Sequence, residues 1–236
     1  MKDNMTADEL KEKLVFLKEP TFKTEKQIEK YNNEYNRLKE MRKFENPLNE
    51  LGIEYIAGID EAGRGPLAGP VVAGAVILPP NLLIEGLNDS KKVSPKKREL
   101  LFDVITENAT AYGVGIMNEK IIDDINILQA TRKAMIEAVC NLETKPQHLL
   151  VDAEKLDMGI PFNAIISGDA LSLSIAAASI IAKVTRDRMM MVYDEMYPEY
   201  GFVKHKGYGT REHIEAIKKY GPSPIHRMSF LKNIIE

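Results

Sequence analysis

Residues 55–79 constrain the chain most, because two apolar runs here flank an acidic, glycine-rich turn. The segment reads YIAGIDEAGRGPLAGPVVAGAVILP. Residues 55–59 predict a short buried strand that ends at two adjacent carboxylates, Asp60 and Glu61. Residues 71–78 predict a second buried strand after the turn. A chain with this pattern needs a sheet, with an acidic turn at the end of one strand.

The two carboxylates impose a geometric condition. Side chains of adjacent strand residues point to opposite faces, so Asp60 and Glu61 serve one site only if the strand ends there and the backbone turns. Glycine and proline permit such a turn, and the segment supplies Gly63, Gly65, Pro66 and Gly69. Carboxylates beside an open backbone loop suit hard divalent cations and a phosphodiester. The alternative is a solvated acidic hairpin turn.

Two further carboxylates follow predicted elements. Asp152 ends a predicted strand over residues 148–151, and Asp169 follows Gly168 at the start of a predicted helix that runs to about residue 197. Strand ends on one side of a sheet converge, so these acids and the pair at Asp60 are expected to form one cluster. Clustered carboxylates ionise together only with cations nearby. The alternatives are a helix N-cap for Asp169 and a simple strand end for Asp152.

Five ordered motifs carry a resemblance to a known family. They are IDEAGRGPLAGPV, LNDSKKVSPKKR, VDAEKL, SGDALSLSIAAASIIAKVTRDR and HKGYGT. Together they resemble ribonuclease HII, a class of enzymes that cut DNA strands beside embedded ribonucleotides, over roughly residues 54–228. The resemblance implies an α/β ribonuclease H-like fold, with a mixed five-stranded sheet flanked by helices. The order of predicted strands and helices agrees with an α/β or α+β domain with a mixed sheet, but does not select this fold among other three-layer folds.

The resemblance also implies the chemistry of the site. Its catalytic and metal-binding residues match Asp60, Glu61, Asp152 and Asp169. Two Mg²⁺ or Mn²⁺ ions about 3.5–4 Å apart then flank the scissile phosphate, and hydrolysis leaves 5′-phosphate and 3′-hydroxyl ends. The implied substrates are RNA–DNA hybrids and duplex DNA that contains ribonucleotides.

Substrate recognition is expected from a loop and a tyrosine. The family uses the loop that matches Gly63, Arg64 and Gly65 to reach the 2′-hydroxyl, the group that separates RNA from DNA. Tyr208, in HKGYGT, matches a tyrosine that stacks at the junction. A loop tyrosine covering the core is the alternative for Tyr208.

Basic residues around the acidic motifs suggest phosphate contacts. Residues 86–98 hold five basic residues and one acidic residue, and residues 183–232 hold ten basic and six acidic. The candidates are Lys91, Lys92, Lys183 and Arg186, with ordinary surface solvation as the alternative. For His205 and His213, in the basic tail, we expect phosphate contact or plain surface in preference to metal ligation.

The first 50 residues predict a separate helical extension. Thr6 with Glu9, and Thr24 with Gln27, form capping-box patterns that open two helices. We therefore expect a helical hairpin over residues 1–50, a linker near residues 47–52 and a catalytic domain over 51–236. The extension carries eleven basic and eleven acidic residues, which argues against a simple electrostatic arm for nucleic acid.

Composition argues against a disulfide-linked protein and against a membrane protein. One cysteine, Cys140, excludes an intrachain disulfide framework and suits a reducing cytoplasm, and its helical apolar context predicts burial. No apolar run has membrane-spanning length, so we expect no membrane contact. The single cysteine favours a cytoplasmic location. We also expect a monomer.

Three alternative functions are considered. Ribonuclease HIII carries lysine where this chain has Arg64. A phosphate-loop nucleotide binder requires a G-x-x-x-x-G-K-[ST] pattern that does not occur here. A non-catalytic nucleic-acid-binding module would not need the acidic set.

Overall fold

The computed structural model describes Lys13–Val15 and residues 24–235. Its strands, in chain order, are Lys13–Val15 (β1), Ile56–Ala62 (β2), Val71–Ile77 (β3), Leu82–Ile84 (β4), Ala111–Met117 (β5), His148–Asp152 (β6) and Phe162–Ile165 (β7). Its helices are Glu25–Glu40 (α1), Glu45–Glu50 (α2), Pro95–Asn108 (α3), Glu119–Cys140 (α4), Gly168–Leu171 (α5), Leu173–Met196 (α6), Phe202–His205 (α7), Arg211–Tyr220 (α8) and Lys232–Ile235 (α9).

A five-stranded mixed sheet forms the centre, in the order β5-β3-β2-β6-β7. β3 runs antiparallel to β2 and β5, whereas β2, β6 and β7 are parallel neighbours. Helix α6 packs on one face of the sheet and α4 on the other, and each face has its own apolar core. This arrangement confirms the predicted α/β class and the five-stranded mixed sheet.

Small residues bring α6 close to the sheet, because the first half of the helix is rich in alanine and serine. A Cβ atom on Gly74 of β3 would lie 2.6 Å from the carbonyl oxygen of Ala178, and one on Gly58 of β2 would overlap the backbone of Ser174. The sheet and the helix therefore meet backbone to backbone. This close contact holds the start of α6 near the end of β2.

Local sequence signals account for the start of α3, for β5 and for the start of α8. α3 begins at Pro95 directly after Ser94, β5 covers residues 111–117, and Thr210 caps α8 by accepting a hydrogen bond from the backbone N–H of His213. Two boundaries were wrong. β2 continues through Asp60 and Glu61 to Ala62 because it pairs with β3 over that length. The predicted helix over 168–197 breaks at Ser172, whose extended backbone separates α5 from α6.

The predicted N-terminal helical hairpin was wrong where the structure describes it. Lys13–Val15 form a strand that pairs in parallel with β4, so a helix does not cover these residues. The rest of that predicted helix, including Thr6 and Glu9, lies outside the described residues. The second predicted helix is confirmed as α1, with the capping box of Thr24 and Gln27 present.

The predicted linker near residues 47–52 is largely the short helix α2. Glu45, its first residue, is buried and accepts hydrogen bonds from Ser172 Oγ at 2.6 Å and Ser174 N at 3.0 Å. Leu38 of α1 belongs to the same apolar core as Ile180 of α6. The boundary between a 1–50 extension and a 51–236 domain stays a prediction, but α1 and α2 share packing with the sheet domain.

Cys140 at the end of α4 is exposed, so its predicted burial was wrong. Within the described part of the chain, no helix has both the length and the apolar character needed to cross a membrane.

Candidate active site

Three carboxylates meet at one end of the sheet. Ile59 of β2 pairs with Val151 of the parallel strand β6, so the next residue of each strand, Asp60 and Asp152, lies side by side on the face that α6 covers. Asp169, in the first turn of α5, approaches the same point. Each of the three offers a carboxylate oxygen, and these oxygens lie within 4.8 Å of one another.

Backbone hydrogen bonds hold these carboxylates in place. Asp152 Oδ1 accepts from the N–H of Gly168 at 2.7 Å, and Asp60 Oδ1 accepts from the N–H of Glu61 at 2.7 Å. A Cβ atom on Gly168 would lie 2.6 Å from a methyl group of Ile175, so glycine is what lets this turn approach Asp152. The N-cap position of α5 belongs to Ser167, which excludes the N-cap alternative for Asp169.

The electrostatics of the cluster favour a bound cation. Burial, followed by the charges of Glu61 and Asp152, raises the pKa of Asp60 well above its usual value. Burial is also the largest cause of the raised pKa of Asp152 and of Asp169, and the nearby Asp89 adds to the latter. Lys91 partly offsets this repulsion, with Nζ 3.8 Å from Asp169 Oδ2. A divalent ion would stabilise the ionised carboxylates far more than one exposed lysine does.

The donor set fits Mg²⁺ or Mn²⁺. Asp60, Asp152 and Asp169 contribute only carboxylate oxygens, which hard divalent ions prefer. Two of these side chains are buried and the third is partly open, so an ion would have protein ligands on one side and access to water or substrate on the other.

Glu61 does not join the three-carboxylate group. Because β2 remains extended, Glu61 points to the face opposite Asp60. There its Oε1 lies 3.4 Å from Arg64 Nη1. Burial raises the pKa of Glu61, the Arg64 charge opposes this shift, and the charge of Asp152 adds to it. The predicted four-carboxylate cluster is therefore a group of three with Glu61 in its electrostatic range.

Arg64 is held by a second carboxylate that the sequence did not single out. Its Nη1 lies 3.2 Å from Oε1 of Glu154, and Oε2 of Glu154 lies 3.3 Å from Nε of Arg132. Glu154 is buried, whereas the Arg64 side chain is partly exposed beside the cluster. The Gly63–Gly65 loop thus presents a guanidinium whose direction is fixed by acidic residues on both sides.

The structure brings Tyr208 to the same loop. A Cβ atom on Gly65 would lie 3.7 Å from Cε1 of Tyr208, and the tyrosine is 46% exposed. The backbone N–H of Leu67 donates to the carbonyl oxygen of Gly207 at 2.8 Å, which joins the two segments. An exposed ring against an open glycine is unlike a tyrosine that covers the core, so that alternative does not hold.

The predicted basic contacts divide into two groups. Lys91 and Lys92 are exposed, with Lys91 beside Asp169 and Lys92 beside Asp89. Lys183 is mostly buried and pairs with Asp187 at 2.8 Å.

Arg186 is fully buried and donates to the carbonyl oxygens of Pro70, Lys206 and Ala68. The phosphate role expected of Arg186 is wrong, and that of Lys183 is disfavoured, since neither side chain is available to a ligand.

Asp89, Arg227 and His226 lie at or behind the candidate site, although the sequence did not single them out. Asp89 lies in the LNDSKK motif, where its helix-capping position gave no sign of its proximity to Asp169. Arg227 is fully buried and donates to the carbonyl oxygens of Gly63, Arg64 and Gly69. His205 and His213 are buried together with His226, so the surface role expected for the first two is wrong. Each of these residues is an isolated polar residue in the sequence, and its role depends on contacts with residues that are distant in the chain.

Comparisons with known proteins show the family to which the chain belongs. The sequence model of the family described as Ribonuclease HII matches residues 57–233. The chain is 61% identical over 214 residues to ribonuclease HII of Acetivibrio thermocellus, covering 90% of this chain and 84% of that protein. It is 53% identical over 240 residues to ribonuclease HII of Ruminiclostridium cellulolyticum, covering 98% and 94%.

Solved structures show the same fold. Ribonuclease H2 of Pyrococcus horikoshii matches with a TM-score of 0.62 and 30% identity, over 76% of this chain and 96% of that one. Ribonuclease HII of Archaeoglobus fulgidus, solved in a complex with PCNA, matches with a TM-score of 0.64 and 26% identity, over 77% and 97%. The chain therefore belongs to the ribonuclease HII family, a class of endonucleases that hydrolyse the RNA of RNA–DNA hybrids.

Proposed function

We propose that the chain is a divalent-metal-dependent endonuclease that also cuts duplex DNA on the 5′ side of an embedded ribonucleotide. The products are a 3′-hydroxyl and a 5′-phosphate, with the ribonucleotide at the 5′ end of the downstream piece. One observation carries this proposal: Asp60, a member of the carboxylate group, lies only three residues before the Gly63–Gly65 loop, and that loop lies against the exposed Tyr208.

Asp60, Asp152 and Asp169 would hold Mg²⁺ or Mn²⁺, with Glu61 as a fourth carboxylate nearby. When bound, such ions supply an activated water and stabilise the departing 3′ oxygen of an in-line displacement. The protein's part is to hold the carboxylates converged despite their repulsion, which the bonds from Gly168 and Glu61 achieve.

The loop would read the ribose. Gly65 has no side chain, and the nearest atom to its missing Cβ is the Tyr208 ring at 3.7 Å. Its backbone is therefore open to close approach by a sugar. A backbone group at this position can hydrogen-bond a 2′-hydroxyl, which is the chemical difference between RNA and DNA.

Tyr208 would read the next nucleotide. A ring in contact with a deoxyribose leaves no room for an additional hydroxyl, so it favours DNA on the 3′ side of the cut ribonucleotide. Lys91 and Lys92 would contact backbone phosphates as exposed cations beside the cluster. The loop and Tyr208 together would therefore recognise an RNA-to-DNA junction.

We propose a monomer. A reducing compartment such as the cytoplasm would suit its exposed Cys140.

A substrate panel tests the proposal. The panel is an end-labelled duplex with one ribonucleotide, the same duplex in all-DNA form, and a long RNA–DNA hybrid. We expect cleavage of the first and third in Mg²⁺ or Mn²⁺ and none of the second. Tyr208→Ala should reduce cleavage at the single ribonucleotide roughly tenfold or more, the scale of one lost contact in a closed site, while Tyr208→Phe should retain it. Unchanged junction cleavage by Tyr208→Ala would contradict the proposed reading of the junction.

A further inference from the structure

A group of three buried histidines lies behind the Tyr208 loop. His205, His213 and His226 come from α7, α8 and the segment after α8, and all three are buried. The rings of His205 and His213 stack with centroids 4.4 Å apart, and those of His213 and His226 lie 5.1 Å apart. None of the three is a member of the carboxylate group that holds the candidate metal site.

Hydrogen bonds fix the proton positions on two of these rings. The backbone N–H of Ser223 can only donate, and it lies 2.8 Å from Nδ1 of His226, so Nδ1 is the acceptor. A neutral His226 then carries its proton on Nε2, which lies 3.0 Å from Nε2 of His213. That nitrogen of His213 must accept, so its proton is on Nδ1.

The chain of hydrogen bonds ends at the tyrosine. Nδ1 of His213 lies 2.9 Å from the carbonyl oxygen of Tyr208, which can only accept. These hydrogen bonds therefore form a relay with one direction, from the Ser223 N–H through His226 and His213 to the Tyr208 backbone. Burial lowers the pKa of both His213 and His226 to about 4, so both are neutral at pH 7, as this direction requires.

His205 is arranged differently. Its Nδ1 accepts from the N–H of Gly207 at 3.2 Å, and its Nε2 donates to the carbonyl oxygen of Tyr200 at 2.9 Å. It therefore fixes the loop on the other side of Tyr208 and packs against the His213 ring without joining the chain of bonds.

We propose that His226 and His213 are positioning residues that set the orientation of Tyr208 for junction recognition. The inference rests on the proposed role of Tyr208. The same C-terminal segment also holds the opposite side of the reading surface, since Arg227, next to His226, donates to the carbonyl oxygens of Gly63 and Arg64. One segment would thereby set the distance between the loop that meets the ribose and the ring that meets the deoxyribose.

The first test observes the proton positions directly. The chain has four histidines, so ¹⁵N resonances of its imidazoles can be assigned by single substitutions. At pH 7 we expect His213 protonated on Nδ1 and His226 on Nε2, both neutral. Protonation of His213 on Nε2, or a charged ring at either position, would overturn the relay.

The second test is a double-mutant cycle on junction cleavage. His213→Leu removes the donor to Tyr208, and we expect a roughly five- to tenfold loss at a single ribonucleotide, as for one lost hydrogen bond. His213→Asn keeps an amide N–H near the Nδ1 position and should recover part of that loss. In a Tyr208→Ala background, His213→Leu should have no further effect, because the relay acts only through Tyr208.

Ile217→Ala is the matched control, because Ile217 is buried on the same helix, α8, and its aliphatic side chain cannot take part in the hydrogen bonds. It should lower stability while leaving the ratio of junction to hybrid cleavage unchanged. Losses that add in the double mutant would overturn the relay while leaving the role of Tyr208 intact. Wild-type junction cleavage by Tyr208→Ala would overturn the proposed role of Tyr208 and the relay with it.

Discussion

Arg227 Nη2 donates to the carbonyl oxygen of Gly63 at 2.6 Å, across 164 residues of sequence. Nη1 and Nε of the same guanidinium donate to Arg64 and Gly69 at 2.9 Å each. The loop before β3 is therefore attached to the C-terminal segment by three hydrogen bonds from one buried side chain. The proposed reading of ribose depends on this attachment, because it fixes the backbone of the loop.

Replacing Arg227 by lysine tests this attachment. Lysine keeps the charge but lacks the planar fork, so two of the three carbonyl oxygens lose their donor. We expect the free energy of unfolding to fall by about 2–4 kcal/mol, from unsatisfied buried acceptors, together with a loss of cleavage. Urea unfolding measures the first effect. Arg211→Lys is the control, since Arg211 is exposed and pairs with the exposed Glu215, and equal stability losses in both variants would contradict the role given to Arg227.

Gly65→Ala separates substrate contact from folding. The new methyl group would make an ordinary contact with the Tyr208 ring at 3.7 Å, so the variant should fold with nearly unchanged thermal stability. A sugar that approaches this backbone would meet the methyl, and we expect at least a tenfold loss of cleavage. Gly63→Ala is the contrast, because its Cβ would overlap Arg186 at a positive φ of 95°, so it should destabilise the fold. Full activity in stable Gly65→Ala would refute the close approach.

Asp60→Asn tests the carboxylate cluster through stability. Burial and neighbouring acids raise the pKa of Asp60 in the folded protein. Its contribution to stability is therefore present at low pH and lost as pH rises through the folded pKa. Removing the charge should raise the melting temperature at pH 7 in EDTA and abolish the further rise that Mg²⁺ or Mn²⁺ causes in wild type.

The same variant should lose cleavage by more than about 100-fold, since altering groups that only support a metal ligand already costs 10–100-fold. Asp157→Asn is the control, because Asp157 is an exposed acid of the adjacent segment. A metal-induced rise in melting temperature that survives in Asp60→Asn would contradict the assignment of this residue as a ligand.

The buried histidines predict a pH dependence of opposite sign. Burial lowers the pKa of His213 and His226 from 6.5 to about 4, so the unfolded chain binds more protons between these values. The free energy of unfolding should fall as pH drops below 6.5, by up to about 1.4 kcal/mol per pH unit for each histidine. Raised carboxylate pKa values act in the opposite direction, so wild type must be compared with His226→Gln. We expect wild type to lose roughly 1–2 kcal/mol more between pH 7 and 5, and equal losses would contradict the account.

Some elements follow from nearby residues in the sequence, whereas others depend on contacts between distant residues. Strands β3 and β5 and the cap of α8 follow from apolar pattern and capping residues, which are local. Glu61 was placed in the cluster because glycines predicted an early turn, yet pairing with β3 keeps β2 extended and sends Glu61 to the other face. The alternation rule was correct, and the assumed strand end was wrong.

Charged residues show the same limit. Arg186 looked like a phosphate contact, but its partners are carbonyl oxygens 116 and 118 residues away in sequence. Glu45 looked like part of a polar extension, but it is buried against Ser172 and Ser174. A charge in a helix gives no local sign of whether the fold will surround it with donors or leave it in water.

We propose that one metal-bound carboxylate site cuts at an RNA-to-DNA junction. The most direct measurement is the mapping of the cut in a duplex with one ribonucleotide, labelled on either end, with Mg²⁺, Mn²⁺ or EDTA. The account predicts one metal-dependent cut on the 5′ side of the ribonucleotide, with a 3′-hydroxyl upstream and a 5′-phosphate downstream. A cut on the 3′ side, cleavage in EDTA, or cleavage of the all-DNA duplex would contradict it.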